Sequence, residues 1–267
     1  MTRTWVLLGA TVRRHRILIA GACALLFAFQ VLLILVARGL EQSGGFAQLD
    51  ALIPEFVRQT FNVVTPTFGG GVSFAYSHPV VLVALIALAL TLGTEPAGEV
   101  ESKFVDLLMA RPVSRGSVVD RSAAALVGAT GVAVGTMLLG TRLGLMLLAP
   151  PGAPIPRAAV ILSLAANLAL EVLAWGGIAL VLGSLARRRA AAAGAAGLLT
   201  LAMFLLDLLG RLWEPTRQLS RISPFHYFSP FRMIAGGLIS GRDAAVLGAI
   251  AVAGFVVARI GYARRDL

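Results

Sequence analysis

The sequence predicts an all-α membrane protein with six transmembrane helices, both termini inside, and short interfacial helices between the spans. Three observations carry this prediction. Hydrophobic residues make up 58% of the 267-residue chain and charged residues 13%, with a mean hydropathy of +0.86; soluble domains sit near about 45–50% apolar and about 25% charged. Six apolar runs come close to or exceed the ~20 residues that cross a bilayer. The net charge of +10 comes almost wholly from arginines, most of which flank those runs, as residues that anchor helix ends at the membrane surface do. With no soluble basic domain to carry it, this charge does not indicate nucleic-acid binding. One cysteine, Cys23, allows neither an intrachain disulfide nor a Cys-based metal cluster.

The elements follow in chain order. Trp5, Leu8 and Val12 mark one side of a short helix on the inner face. Residues 17–37 form the first span; 21 residues without a charge exceed the 7–15 of a signal-peptide core, so the run is expected to be retained. Ile53, Phe56, Val57, Thr60, Phe61 and Val64 recur at helical spacing after Pro54, which suits a first turn, and predict a helix in the outer interface. Residues 72–93 form the second span, with His78 near its start. The third (122–149) contains Arg142, the fourth (158–186) contains Glu171, and the fifth (190–210) contains Asp207. Residues 223–241 hold prolines, aromatics and an apolar stretch too short to span, which predicts a re-entrant or surface-lying segment. The sixth span, 244–262, ends with Arg259 snorkelling to the interface. The spans fill the chain as one transmembrane domain, 1–267. With the N-terminus inside, the inner segments hold 14 of the Lys and Arg residues and the outer ones nine. The bias supports both termini inside.

Residues 95–121 are then the largest inner loop. Glu95, Glu99, Glu101 and Asp106 fall there beside the only lysine, Lys103. Val100, Phe104, Leu107 and Leu108 follow the spacing of one helix face. Glu99 and Lys103 stand in the favourable i, i+4 order, and Pro112 ends the run. This predicts an amphipathic helix over about 98–110. Its acids are disfavoured at an anionic leaflet, so a protein partner accounts for it better than lipid does.

The run "GTEPAGEVESKFVDLLMARPVSR" resembles the loop after the second span of ABC type 2 permeases, the membrane subunits of many bacterial ABC exporters. The six-span layout, "ISPFHYFSP" ahead of the last span and the terminal "YARRDL" are also similar. The resemblance implies that the loop is a cytoplasmic coupling helix docking in a groove on an ATPase subunit, with Glu95, Glu99, Glu101, Phe104, Leu107, Leu108, Arg111, Pro112 and Arg115 as coupling residues. This chain departs from the family where Ser102, Lys103 and Phe104 replace its usual Thr-Leu. The resemblance further implies two ATPase copies, a second permease copy or a paralogue, surrounding membrane lipid, and residence in the bacterial cytoplasmic membrane. Lys103 lacks the Gly-rich context of a phosphate-binding loop. ATP and Mg are therefore expected on the partner, with no cofactor bound by this chain and no catalysis by it. Within the same family, transmission of force to the outer face without simple transport is an alternative to export.

Ionisable groups inside the bilayer cost about 2.5–3.5 kcal/mol each on insertion scales and mark candidate functional positions. Glu171, about 24 Å along the helix from Arg187, has no evident partner and is a candidate lining of the substrate path. Arg142 and Asp207 fall at similar depth near the outer face and are candidates to pair. His15, His78 and His226 are scattered, which makes a poor metal site; His78 and His226 are expected at wet interfaces. An intramembrane enzyme would bring several polar groups to one depth, and Glu171 and Asp207 differ in depth. Gly131 and Gly135, four apart in the third span, are placed to permit close helix approach.

Overall fold

A computed structural model describes residues 3–61, 66–103, 116–235 and 237–265. Its elements are helices, with no strand among the described residues: α1 (Arg3–Ser43), α2 (Gly45–Leu52), α3 (Glu55–Phe61), α4 (Phe68–Phe74), α5 (Pro79–Gly93), α6 (Glu95–Glu101), α7 (Gly116–Leu148), α8 (Ala158–Leu185), α9 (Arg189–Leu212), α10 (Pro230–Ile234) and α11 (Gly241–Ala263). Three 3-10 turns lie between α9 and α10. Six stretches are long and apolar enough to cross a membrane: Thr11–Ser43, Phe68–Gly93, Gly116–Leu148, Ala158–Leu185, Arg189–Leu212 and Gly241–Ala263.

α8 is the axis of the bundle and packs against α5, α7, α9 and α11. It buries Leu164, Leu168, Val172, Trp175 and Leu180. Small residues let its neighbours come in at backbone distance. A Cβ on Gly254 of α11 would sit 2.6 Å from the carbonyl carbon of Gly177, and one on Gly183 would sit 2.5 Å from the oxygen of Gly93. Gly131 and Gly135 are different: no atom lies within 4 Å of a Cβ built on either, so no close approach within this chain uses them. α1 packs along α7. Gln30 of α1, Thr141 of α7 and Tyr76 form a buried hydrogen-bonded trio there, with Tyr76 Oη 2.9 Å and Gln30 Oε1 3.3 Å from Thr141 Oγ1.

Three local expectations are corrected. The short inner helix marked by Trp5, Leu8 and Val12 is not separate: α1 runs unbroken from Arg3, with no proline in its length to stop it. The second span is broken between Phe74 and Pro79. Pro79 cannot donate into a preceding turn, and His78 caps the new helix by accepting from Val80 N at 3.3 Å. The His78 ring is half-buried against Phe29 and Phe74, with centroids 4.8 and 5.5 Å apart.

The charged loop holds the third correction. α6 starts at Glu95 and has seven residues. The chain then turns at Ser102–Lys103, with Lys103 at φ 55°, a left-handed conformation that only a local break in the helix permits. The helix expected over 98–110 is therefore interrupted at Ser102–Lys103, and Glu99 does not make an i, i+4 pair with Lys103 but is taken by Arg121 of the next span. Phe104, Leu107, Leu108, Arg111, Pro112 and Arg115 lie outside the described residues.

Candidate functional site

α6 is seated on the ends of α5, α7, α8 and α9. Thr94 starts it, its hydroxyl donating to Leu90 O at 2.8 Å, and Pro96 occupies the first turn, where no amide donor is required. This seat turns Glu95 and Glu99 inward, at 1% and 2% exposure, and leaves Glu101 exposed. A buried carboxylate survives only with opposite charge and hydrogen bonds, and both have them. Arg14 of α1 donates from Nη1 to Glu95 Oε1 at 2.6 Å. His15 Nε2 and Arg189 Nη2 lie 3.1 and 3.2 Å from Glu95 Oε2. Burial alone would raise the Glu95 pKa, but the His15 hydrogen bond and the charge of Arg189 outweigh it and hold the carboxyl down at about 2. Glu99 pairs with Arg121 of α7, itself 2% exposed. Here burial wins over the single arginine, and the Glu99 pKa is raised.

Arg189 does more than neutralise Glu95. Its backbone N–H donates to Glu101 Oε2 at 2.9 Å, and Nη2 donates to Thr91 O at 3.0 Å. Three acids of one short helix thus tie together α1, α7 and the start of α9. The same end of the bundle holds the last helix: Arg259 Nε donates to Asp120 Oδ1 at 3.0 Å, and Arg265 Nη1 donates to the carbonyls of Ser184 and Ala186 at 3.1 and 2.9 Å. A shallow cleft of about 390 Å³ opens beside α6, lined by Arg14, Glu95, Gly98, Glu101, Ser102 and Arg189. The start of α1, the end of α11 and α6 therefore share one end of the molecule.

The sequence reading gave these arginines only the role of holding helix ends at a surface. For Arg14, Arg121 and Arg189 that is incomplete, and His15, read only as one of three scattered histidines, joins them at Glu95. The usable signal was the acids themselves: a Glu on a helix pressed against span ends demands a cation nearby, and these were the cations bordering the same ends.

The other predicted polar positions lie away from this end of the bundle. Glu171 is fully buried in α8. It does have a partner in this chain, since Trp175 Nε1, one turn along, donates to Oε1 at 2.8 Å; an i, i+4 Trp was a readable signal. Asp207 does not pair with Arg142. Arg211 Nε, one turn along α9, donates to Asp207 Oδ2 at 2.8 Å, and His226 Nδ1 lies 3.7 Å from Oδ1, while Arg142 is exposed on α7. A partner on the same helix needs no second helix to be brought close. His226 is held below its ordinary pKa, chiefly by burial.

The residues between α9 and α10 enter the bundle. Ser223 Oγ donates to Met203 O in the middle of α9 at 2.9 Å, and Phe225 stacks on Trp175 with centroids 5.3 Å apart. Asn167 holds the exit of this segment from both sides: Nδ2 donates to Tyr227 O at 3.2 Å and Oδ1 accepts from Ser229 N at 3.3 Å. Asp243 of α11 receives Arg232 and Ser229 Oγ. Irregular backbone at span depth is tolerated where protein covers it, and α8 and α9 cover it here.

Six apolar spans, one of them the buried axial α8, with ion pairs gathered at one end, define a multi-pass membrane protein. The chain belongs to the ABC-2 transporter family: the family model described as ABC-2 family transporter protein matches residues 8–267. It is thus a membrane permease component. The search of curated proteins found no match.

Proposed function

We propose that this chain is the permease subunit of an ATP-driven exporter in the bacterial cytoplasmic membrane, with α6 on the cytoplasmic side against a separate ATPase subunit. ATP and Mg belong to that partner, present in two copies, and a second permease copy or a paralogue completes the assembly within the lipid. The observation that supports this reading most directly is the seat of α6. Its buried acids Glu95 and Glu99 are bound to α1, α7 and α9, so a push on α6 moves three spans at once. In this reading Glu95 and Glu99 transmit, whereas exposed Glu101 and the following Phe104, Leu107, Leu108, Arg111, Pro112 and Arg115 make the docking contact.

The test uses Lys103, the only lysine in the chain. A membrane-impermeant amine reagent is expected to leave it unlabelled in intact cells and to label it in inverted vesicles. Affinity-purified protein should carry a nucleotide-hydrolysing partner, and Phe104→Asp should lose that partner while still inserting in the membrane. Labelling of Lys103 from outside intact cells would sink the proposal.

A further inference from the structure

Glu171 stands out among the buried acids because no cation meets it among the described residues; Glu99 and Asp207 also leave one oxygen without a hydrogen bond, but each is paired with an arginine. Glu95 is met by two arginines and His15, and Glu99 by an arginine. Glu171 accepts one hydrogen bond, from neutral Trp175, and its Oε2 has no partner among the described residues. It lies about 20 Å along the axis from either end of α8. Natural interiors leave few buried polar atoms unsatisfied, and those that remain call for an explanation. Inside a bilayer such a group is a functional position by default.

What lies beside it is aromatic and includes a side chain from outside the spans. Trp175 and Phe225 pack with Ile86 in one cluster, with Leu199 and Met203 of α9 against them. Phe204 meets the edge of Phe225 at a centroid distance of 5.5 Å. Phe225 belongs to no span. It is carried on a 3-10 turn, Pro224–Tyr227, tied to the spans by the Ser223 bond to Met203 O and by two bonds with Asn167. A slot between α5, α8 and α9 is therefore filled by a side chain from a short irregular segment, beside a carboxyl with an unused oxygen.

We propose that this slot is the substrate-contact site of the permease, that its ligand is an amphipathic organic cation, and that Phe225 occupies the ligand's place in the present conformation. The chemistry has two parts. An apolar body replaces Phe225 between Trp175 and Phe204, whose ring faces attract a cation. The positive charge meets Glu171 Oε2, offsetting the cost of an anion there. The inference rests on the permease reading for its physiological meaning.

The experiment measures binding alone, without nucleotide or ATPase. Trp5 and Trp213, the other two tryptophans, are replaced by Phe, and Trp175 fluorescence in nanodiscs is followed against tetraphenylphosphonium and its size-matched anion tetraphenylborate. Saturable quenching by the cation and not by the anion is expected. Glu171→Gln should weaken it about tenfold, the scale of one charge-assisted contact. Phe225→Ala should strengthen it, because a competitor is removed, whereas a purely packing role for Phe225 predicts the reverse; Phe225→Leu serves if the alanine variant does not elute as a single folded species. Equal response to both ions, an unchanged Glu171→Gln, or no saturable response in either Phe225 variant overturns the site. Failure here leaves Lys103 sidedness and ATPase co-purification untouched, and failure of those leaves this binding result standing.

Discussion

Glu95 and Glu171 are both glutamates with almost no exposed surface, yet they are built into the molecule in opposite ways. Glu95 sits at a junction of helix ends and is met by Arg14, His15 and Arg189 from two other helices. Glu171 sits within a span and is met by one neutral indole from its own helix. The contrast teaches that burial alone does not define the role of an acid. A carboxylate fully bound to cations from several elements is a fastener, because its free energy is invested in holding those elements together. A carboxyl with an oxygen left over has interaction to offer to something that arrives.

The comparison breaks most visibly at Glu99. Removing one member of a buried ion pair leaves an uncompensated charge and costs about 3–5 kcal/mol. Glu99→Ala should therefore lower thermal stability in detergent by about that amount, with Arg121→Ala similar and the double variant milder than the sum. Additivity in this cycle would show that the two residues do not act as a pair.

A middle-sized effect tests Glu95 through pH. Its folded-state pKa, about 2, lies below the ordinary 4.5. The sign follows from linkage: the stabilisation is fully present above about 4.5 and is lost as pH falls towards about 2. A thiol reagent should thus reach a cysteine placed at Gly98, within α6 and against Arg189, faster as pH is lowered through that window, after correction for thiolate fraction. Glu95→Gln should remove this dependence. A profile unchanged by Glu95→Gln would assign it to other carboxyls.

The smallest effect is expected at Arg142. It is exposed on α7 and takes no part in the Asp207 cluster, so Arg142→Gln should change stability by less than about 0.5 kcal/mol. A loss comparable to that at Arg121 would restore the intramembrane pairing that the structure gives to Arg211.

Much of the fold is legible in the residues. Runs such as 158–186 have one physical option in a membrane, a helix with every backbone group satisfied internally, and α8 closely follows that run. The segment 53–64 shows its helix through spacing, and Pro54 stands just before α3. The candidate site is less legible. Periodicity points to one helix over 98–110, but the chain turns at Ser102–Lys103 and α6 ends at Glu101, with Glu99 paired to Arg121. Local patterns report on neighbours along the chain, and α6 is shaped by distant residues, as the bond from Arg189 N to Glu101, 88 positions away, shows.

The amino-acid sequence by itself determined the class of solvent this protein requires, the number of apolar helices, and which polar groups would have to be explained inside them. Hydrophobic transfer and backbone satisfaction act residue by residue, so composition and run length suffice. Only the tertiary structure decided which arginine meets which acid, that Asp207 is served from its own helix, and that Phe225 fills the space beside Glu171. Those outcomes depend on distances of a few ångströms between separate helices, where Coulomb attraction and close packing act, and no linear pattern encodes them.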